Sequence, residues 1–227
     1  MVKVVVVVPV FNESAVIYKV LKSIPKKIRG VSELNVVVIN DGSTDNSQFE
    51  VQRAGFSIVT HVINRGLGAA IKTGMAYARV KKADVMVTFD GDGQHDPSDI
   101  EKIIVPIIQK KADLAIGSRF KKLKNVPLDR YFLNWIANFV TFLFYGALTT
   151  DSQSGLRAFS QKALNLVDFK GERMDFSSEI LLEAKRNNLK KAEVPIKAIY
   201  TEYSRKKGQK NSNAIPTFAR FLVRLLR

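Results

Sequence analysis

The sequence predicts an α/β fold with a doubly wound, mostly parallel sheet, and three observations support this prediction. The chain opens with a nearly pure valine run at residues 2–8, as expected of a parallel strand that is covered on both faces. Apolar, β-branched segments then alternate with helical patterns across short connections. Polar residues follow several of these segments, at the strand ends where open α/β sheets bind their ligands.

The elements are predicted in order from these patterns. Further strands are expected at residues 34–39, 57–63, 85–89 and 113–116, with a last extended segment at 192–200. Helices are expected from the turn at 9–14 through about residue 28, after Asp45 (which could cap its helix), at 66–80, after Pro97 and Ser98, and at 176–187.

Four predicted strands end in side chains that can bind a charged ligand. These are Asn12 and Glu13, Asp41 and Asp45, Asn64 and Arg65, and Asp90 and Asp92. Because the carboxyl ends of parallel strands meet at one edge of a sheet, the four groups are expected to form one binding site.

The segment Asp90-Gly-Asp92-Gly-Gln94 predicts a metal site. Two carboxylates one residue apart, spaced by glycine, and the carbonyl of Gln94 form an all-oxygen set that suits Mg²⁺ or Mn²⁺. Such a cation takes its remaining ligands from water and substrate phosphates. An acidic loop that only caps the next helix is the alternative. An EF-hand loop is excluded, because His95 stands where that loop needs glycine and a strand leads into the segment.

The charge of the chain indicates an anionic partner. The net charge is +15, and residues 117–130 (+4) and 200–227 (+6) hold ten of these charges. A phosphorylated substrate, a nucleic acid or an acidic membrane surface would fit this clustering. The absence of cysteine excludes disulfides, thiolate metal sites and cysteine nucleophiles.

Two segments of the second half are candidates for membrane contact. Residues 131–149 are mostly large and apolar, and are about long enough to span a bilayer. A polar stripe nevertheless runs down one helical face, formed by Asn134, Asn138, Thr141 and Tyr145. The stripe favours a helix at the membrane interface or packed on the domain over a spanning one. Residues 215–227 predict a basic amphipathic helix, for an anionic bilayer or for packing on the domain.

Six short motifs occur in the order seen in one known family. They are Pro9-Val-Phe-Asn-Glu13, Asn40-Asp-Gly-Ser43, Asn64-Arg-Gly66, Asp90-Gly-Asp92-Gly-Gln94, Gly117-Ser-Arg119 and Ser154-Gly-x-Arg157. Over about residues 2–210 the chain resembles family 2 (GT-A) glycosyltransferases, and within them the dolichol-phosphate mannose synthase type. The resemblance implies a GT-A domain at residues 1–210, and we expect the C-terminal basic helix to occupy 211–227. It also implies a GDP- or UDP-linked sugar donor, a divalent metal, a lipid-phosphate acceptor and inversion at the anomeric carbon.

The resemblance also implies roles for individual residues. Nucleotide-sugar binding would fall to Pro9, Phe11, Asn12, Glu13, Asp41, Asp90, Gly91, Asp92 and Arg205. Metal binding would fall to Asp90, Asp92 and Gln94. The catalytic groups would be Asp92, Arg119, Arg130 and Arg205, with the arginines facing the phosphates. The chain departs from the family at Lys210, which stands one place earlier than the usual lysine of the Arg205 motif.

These expectations define a predicted function. The enzyme would move a sugar, mannose or glucose, to dolichyl or polyprenyl phosphate as a peripheral protein on the cytoplasmic face of an anionic membrane. A phosphate acceptor is already ionised, so no strong general base is needed. A glycan or protein hydroxyl, the alternative acceptor, would require one, and Asp151 and Glu179 are the candidates. A nucleic-acid-binding protein would explain the positive charge but not the carboxylates at the strand ends; no nucleic-acid partner is expected.

Overall fold

The computed structural model of the chain describes residues 1–121, 128–171, 176–199 and 203, without the side chains of 128–130, 133 and 144. Its strands are β1 (Lys3–Val10), β2 (Glu33–Asn40), β3 (Ser57–Thr60), β4 (Val85–Thr88), β5 (Leu114–Ser118), β6 (Arg157–Ser160) and β7 (Lys191–Pro195). Its helices are α1 (Ile17–Ser23), α2 (Ser47–Arg53), α3 (Leu67–Val80), α4 (Asp99–Ile108), α5 (Leu128–Tyr145), α6 (Gln161–Leu166) and α7 (Phe176–Arg186).

The strands form one seven-stranded sheet in the order β3-β2-β1-β4-β6-β5-β7. The first four strands are parallel, and β7 is parallel to β5. The predicted α/β fold with a mostly parallel sheet is therefore confirmed. The carboxyl ends of β1 to β4 lie together, and the residues that follow them are called the carboxyl edge below.

The strand β6 was not predicted, and it runs antiparallel to both of its neighbours, β4 and β5. It has four residues, which is too short for a periodic pattern to be recognised. The insertion separates β4 from β5. It also brings the loop at 151–156, here called the β6 entry loop, to the carboxyl edge.

The valine run is explained by burial on both faces of the sheet. Val4, Val6 and Val8 belong to the core that includes residues of α1 and α4. Val5 and Val7 belong to the core that includes residues of α3 and α7. A strand covered by helices on both sides has no solvent-facing positions, and its sequence is therefore continuously apolar.

The first strand and helix differ from their predicted bounds. The strand β1 continues through Pro9 to Val10. A proline has no N–H to donate, and it is tolerated here because the pairing of β1 with β4 ends at Val7. The helix α1 covers only Ile17–Ser23 and does not reach residue 28. The residue after it, Ile24, is extended because it precedes Pro25, and a proline disfavours helical conformation in the residue before it.

Candidate active site

The loops after β1 and β2 are joined at the carboxyl edge by hydrogen bonds. The amide of Thr44 donates to Asn12 Oδ1 (2.8 Å), and the amide of Asn12 donates to Ser43 Oγ (3.0 Å). The amide of Glu13 donates to Ser47 Oγ (2.7 Å). Asn12 has a positive φ of 55°, which asparagine tolerates better than most residues. The first two predicted groups are therefore neighbours in space.

Asp41 is buried and holds the turn between β3 and α3. Its carboxylate accepts from the amides of Arg65 (3.0 Å) and Gly66 (2.7 Å). A third hydrogen bond joins Asp41 Oδ1 to His61 Nδ1 (2.7 Å), and His61 Nε2 lies 2.9 Å from Thr73 Oγ1. The sequence did not indicate this role for His61, since no motif surrounds it. The third predicted group thus meets the second.

The segment at 90–95, called the metal loop below, contains two carboxylates in different environments. Burial alone would raise the pKa of Asp90, but the hydrogen bond from His95 Nε2 (3.2 Å) and its charge hold that pKa below the ordinary value. Burial, followed by the negative charge of Asp90, raises the pKa of Asp92 to about 6. The Gln94 side chain lies against Asp92, with Nε2 donating to Oδ2 (2.8 Å).

The segment after β7 packs along the metal loop. The amide of Ile199 donates to the backbone oxygen of Gln94 (2.9 Å), and His95 forms an isolated antiparallel bridge with Ala198. Further along, the hydroxyl of Tyr203 donates to Glu13 Oε2 (2.7 Å). Burial and then Glu13 raise the pKa of Tyr203, so its hydroxyl stays protonated and can donate. The sequence did not predict this contact.

Arg119 enters the site from the end of β5 and is held by Asp151. Its guanidinium donates to both carboxylate oxygens, with Nε 2.7 Å from Oδ2 and Nη2 2.8 Å from Oδ1. Asp151 is fully buried, and a two-point pair of this kind fixes the guanidinium plane. After the hydrogen bond and charge of His95, the positive charge of Arg119 also lowers the pKa of Asp90.

Arg157 organises the β6 entry loop from within the core. Its buried guanidinium donates to the backbone oxygens of Ser152 (2.7 Å), Ser154 (2.9 Å) and Ser177 (3.1 Å). Burial lowers the pKa of Arg157 to about 10, so it remains charged at neutral pH. These bonds press Gly155 so close to the Asp90 carboxylate that a Cβ atom on residue 155 would overlap with it.

The helix α5 docks through its polar stripe. The side-chain amides of Asn134 and Asn138 donate to the backbone oxygen of Thr150 (2.8 and 2.9 Å), and Thr141 Oγ1 lies 3.0 Å from Ser178 Oγ on α7. The opposite side presents stacked rings, called the aromatic face below, formed by Phe132, Trp135 and Phe139. These side chains are between 51% and 60% exposed. Within the described ranges, no helix combines the length and apolar character that a membrane span requires.

The oxygen groups of the metal loop fit a hard divalent cation. The described part of the chain contains no cluster of three or more His, Cys, Asp or Glu that could enclose a metal. Asp90 and Asp92 offer carboxylate oxygens, and Gln94 offers a carbonyl oxygen while its amide nitrogen donates to Asp92 Oδ2. Such an open set suits Mg²⁺ or Mn²⁺, which would take its remaining ligands from phosphate oxygens and water.

The remaining predicted residues lie in different places. Pro9 is buried in β1, and Phe11 is 42% exposed at the carboxyl edge. Gly91 lies close to β1, since a Cβ atom added to it would be 3.1 Å from the backbone oxygen of Pro9. The side chain of Arg130 lies outside the described residues. So do Arg205, Lys210 and the predicted helix at 211–227. The roles expected for all these residues stay predictions.

Comparison with known proteins agrees with this geometry. The family model described as Glycosyl transferase family 2 matches residues 5–167. An uncharacterised protein of Methanocaldococcus jannaschii is 45% identical over an alignment of 208 positions, which covers 89% of this chain and 84% of the relative. A UDP-N-acetylglucosamine–dolichyl-phosphate N-acetylglucosaminyltransferase of Methanococcus voltae is 36% identical over an alignment of 239 positions, which covers 96% of this chain and 94% of the relative.

A solved structure confirms the fold. Glucosyl-3-phosphoglycerate synthase of Mycobacterium tuberculosis, in complex with Mn²⁺, uridine diphosphate and glucosyl-3-phosphoglycerate, superposes with a TM-score of 0.75 at 19% identity. The match covers 96% of this chain and 76% of that protein, which confirms the predicted GT-A fold. The family match covers most of β1, all of β2 to β4 and the carboxylate-bearing loops at the carboxyl edge. This chain therefore belongs to glycosyl transferase family 2 and is a glycosyltransferase.

Proposed function

We propose that the enzyme transfers a hexose from a UDP- or GDP-linked donor to a polyprenyl phosphate of the dolichyl type, with inversion at the anomeric carbon. The observation that carries this proposal is the state of the two candidate bases. Asp151 is fully buried and paired with Arg119, and Glu179 Oε2 accepts from the amides of Lys170 and Gly171. A hydroxyl acceptor would need a carboxylate free to take its proton, whereas a phosphate acceptor is already ionised.

The carboxyl edge suits the diphosphate of the donor. A Mg²⁺ or Mn²⁺ ion held by Asp90, Asp92 and Gln94 would stabilise the negative charge that develops on the leaving diphosphate. Arg119 places a second positive group there, and Asp151 fixes its orientation before the substrate arrives. We propose that Arg130 and Arg205 join it in facing the phosphates, and that the loops after β1 and β2 bind the nucleoside.

The aromatic face of α5 supports a lipid acceptor. A polyprenyl phosphate keeps its tail in the bilayer, so the enzyme must reach the membrane surface to use it. Exposed, stacked Phe132, Trp135 and Phe139 are suited to the interfacial region of a bilayer. Residues 117–130, immediately before and at the start of α5, carry a charge of +4 that would attract anionic lipids. We propose a peripheral enzyme on the cytoplasmic face.

A transfer assay tests this function. The full chain is incubated with radiolabelled UDP-glucose, UDP-N-acetylglucosamine or GDP-mannose, a polyprenyl phosphate and Mg²⁺ or Mn²⁺. Label is expected in the lipid fraction with at least one donor, and EDTA should abolish it. Asp92→Ala should lower the rate by at least ~100-fold because charge stabilisation is lost.

Two outcomes would contradict the proposal. One is label on an oligosaccharide or peptide hydroxyl with none on the lipid phosphate, which would indicate the alternative acceptor. The other is full transfer by Asp92→Ala in the presence of EDTA, which would separate the reaction from the metal loop. Lys26→Ala is a suitable control, because this surface residue lies between α1 and β2, away from the carboxyl edge.

A further inference from the structure

A small cleft beside Asp90 has no role in the site described so far. It lies between the first turns of α3 and α7, under the β6 entry loop, and has a volume of about 50 Å³. Its lining combines apolar and polar side chains, among them Ile71, Phe176, Gln153, Ser154, Ser177 and Asp90. This volume holds roughly three or four water-sized groups, which corresponds to part of a sugar ring with its hydroxyls.

Ser154 is the unusual member of this lining. The residue is 1% exposed, and its Oγ has no hydrogen-bond partner among the described residues. A buried hydroxyl without a partner is unfavourable, and most buried polar groups in folded proteins are paired. The Ser154 hydroxyl therefore has one donor and two acceptor sites to offer to a molecule that enters the cleft.

The position of Ser154 is held by its backbone. Arg157 donates to the backbone oxygens of Ser154 and Ser177, and both of these residues line the cleft. Thr88 Oγ1 donates to the backbone oxygen of Gly155 (2.6 Å), and the amide of Arg157 donates back to Thr88 Oγ1 (3.1 Å). A polar group on a supported backbone can distinguish ligands by geometry, which a mobile side chain does less well.

Asp90 connects this cleft to the diphosphate site. Its carboxylate lines the cleft and also belongs to the metal loop, and its side chain is 28% exposed. A sugar attached to a diphosphate at the metal loop starts within a few bonds of Asp90. The apolar residues of the cleft can cover the carbon face of that sugar, and few polar groups remain to set its orientation.

We propose that Ser154 is a specificity-determining residue that hydrogen-bonds a hydroxyl or acetamido group of the transferred hexose inside this cleft. The proposal rests on the proposed function, since it takes the ligand to be the hexosyl part of a nucleoside-diphosphate sugar. A site that hydrogen-bonds a substrate hydroxyl discriminates against an analogue that cannot make the bond. Ser154 then contributes to sugar choice and not to recognition of the nucleotide.

The experiment compares Ser154→Ala with the matched control Ser178→Ala. Ser178 is also a buried serine, but its hydroxyl is paired with Thr141 and does not line the cleft. Rates of transfer to polyprenyl phosphate are measured with donors that share a nucleotide, UDP-glucose with UDP-N-acetylglucosamine and GDP-mannose with GDP-glucose. Calorimetry gives the Kd of UDP and GDP alone.

Ser154→Ala is expected to lower kcat/KM for the preferred donor by about 10-fold, the usual effect of one lost hydrogen bond to a substrate. The ratio of kcat/KM between the two donors of a pair should move towards one, while the Kd of the nucleotide without sugar stays unchanged. Ser178→Ala should leave the preference as it is. An unchanged kcat/KM and donor preference in Ser154→Ala would overturn the proposal, and so would an equal loss of UDP or GDP affinity.

A second variant covers the case in which Ser154→Ala does not fold. Ser154→Thr keeps the hydroxyl but adds a methyl group to a cleft of about 50 Å³. It should slow transfer of N-acetylglucosamine more than transfer of glucose, and equal effects on both would overturn the proposal. If the unaltered enzyme transfers no sugar from any donor, the proposed function itself fails. If the unaltered enzyme transfers sugar but the Ser154 variants keep its rate and donor preference, only the role of Ser154 fails.

Discussion

Gly155 shows how a single residue can control the metal loop from a distant part of the sequence. Its backbone lies directly against the Asp90 carboxylate, and no side chain fits between them. Thr88 and Arg157 hold it there, because Thr88 Oγ1 donates to the backbone oxygen of Gly155 and Arg157 Nε donates to that of Ser154. The glycine is therefore needed for close approach.

Gly155→Ala should displace the Asp90 carboxylate without unfolding the protein, because a flexible side chain can move where backbone cannot. We expect transfer to fall by about 100-fold and the affinity for Mn²⁺ to fall with it, since one charged metal ligand is moved. Gly30→Ala is the control, because a Cβ there has nothing within 4 Å. Normal metal affinity and transfer in Gly155→Ala would show that Asp90 is not held by this contact.

Asp45 illustrates how hydrogen bonds set a pKa at the same edge. Its carboxylate accepts from the amides of Ser47 (2.9 Å) and Ser14 (3.1 Å), which ties the start of α2 to the loop after β1. Burial alone would raise its pKa, but the hydrogen bonds from Ser47 and Ser14 lower it from 3.8 to about 2. The ionised form is therefore the one that the fold stabilises.

Asp45→Asn should be less stable than the unaltered protein at about pH 7, by about 1 kcal/mol after allowance for solvent screening of this exposed group. Because the folded pKa is depressed, the stabilisation is present above the ordinary value of 3.8 and is lost as the pH falls through about 2. The difference in Tm between the two proteins, followed by circular dichroism, should shrink between these values. A difference that stays constant with pH would show that the charge is not the cause.

At the scale of elements, the faces of α5 are reversed relative to a helix that covers a hydrophobic core, which turns its apolar face inward and its polar face to solvent. Its polar stripe faces the domain, because the backbone oxygen of Thr150 and the hydroxyl of Ser178 need hydrogen-bond partners there. Its large rings face outward as a consequence of the helical period. An exposed apolar surface of this kind indicates a binding surface, for which we propose the bilayer.

Replacing Trp135 and Phe139 by serine should weaken binding to anionic vesicles by about 10-fold or more, since each ring loses apolar burial in the interface. The melting temperature and nucleotide affinity should change little, because both side chains are more than half exposed. Phe49→Ser is the matched control, an equally exposed aromatic on α2. Co-sedimentation measures the bound fraction, and an equal loss in the control would remove α5 from the membrane contact.

For the whole molecule, the net charge of +15 acts together with these apolar surfaces. Each Lys or Arg near an anionic surface contributes about 1 kcal/mol at low salt, and salt screens this attraction. Electrostatic attraction would bring the enzyme to the membrane, and insertion of apolar side chains would retain it there.

Vesicles rich in anionic lipid should therefore bind the full chain at about 0.1 M salt and release part of it at about 1 M. A chain truncated before Ile215, which removes Arg220, Arg224 and Arg227, should bind more weakly while its donor affinity is unchanged. Sedimentation with anionic and neutral vesicles provides the comparison. Equal binding of both chains at low salt would show that residues 215–227 do not contribute.

The sequence by itself determined the order of the helices and strands in the first half and which strand ends meet at the carboxyl edge. Strands buried on both faces are uniformly apolar, and the turns after them are marked by Asn, Asp and Gly, so both signals are local. The pairing of β1 to β4 then follows from short connections between parallel strands. The Asp90-Gly-Asp92 loop could be placed for the same reason.

Only the tertiary structure decided which of these groups act on one another. Asp151 reaches Arg119 across 32 positions, and Thr88 reaches the β6 entry loop across 67. The antiparallel direction of β6, the contact of Gly155 with Asp90 and the outward aromatic face of α5 have the same origin. Each depends on contacts between segments far apart in the chain, and a local pattern of residues cannot encode which distant partner completes a hydrogen bond or fills a space.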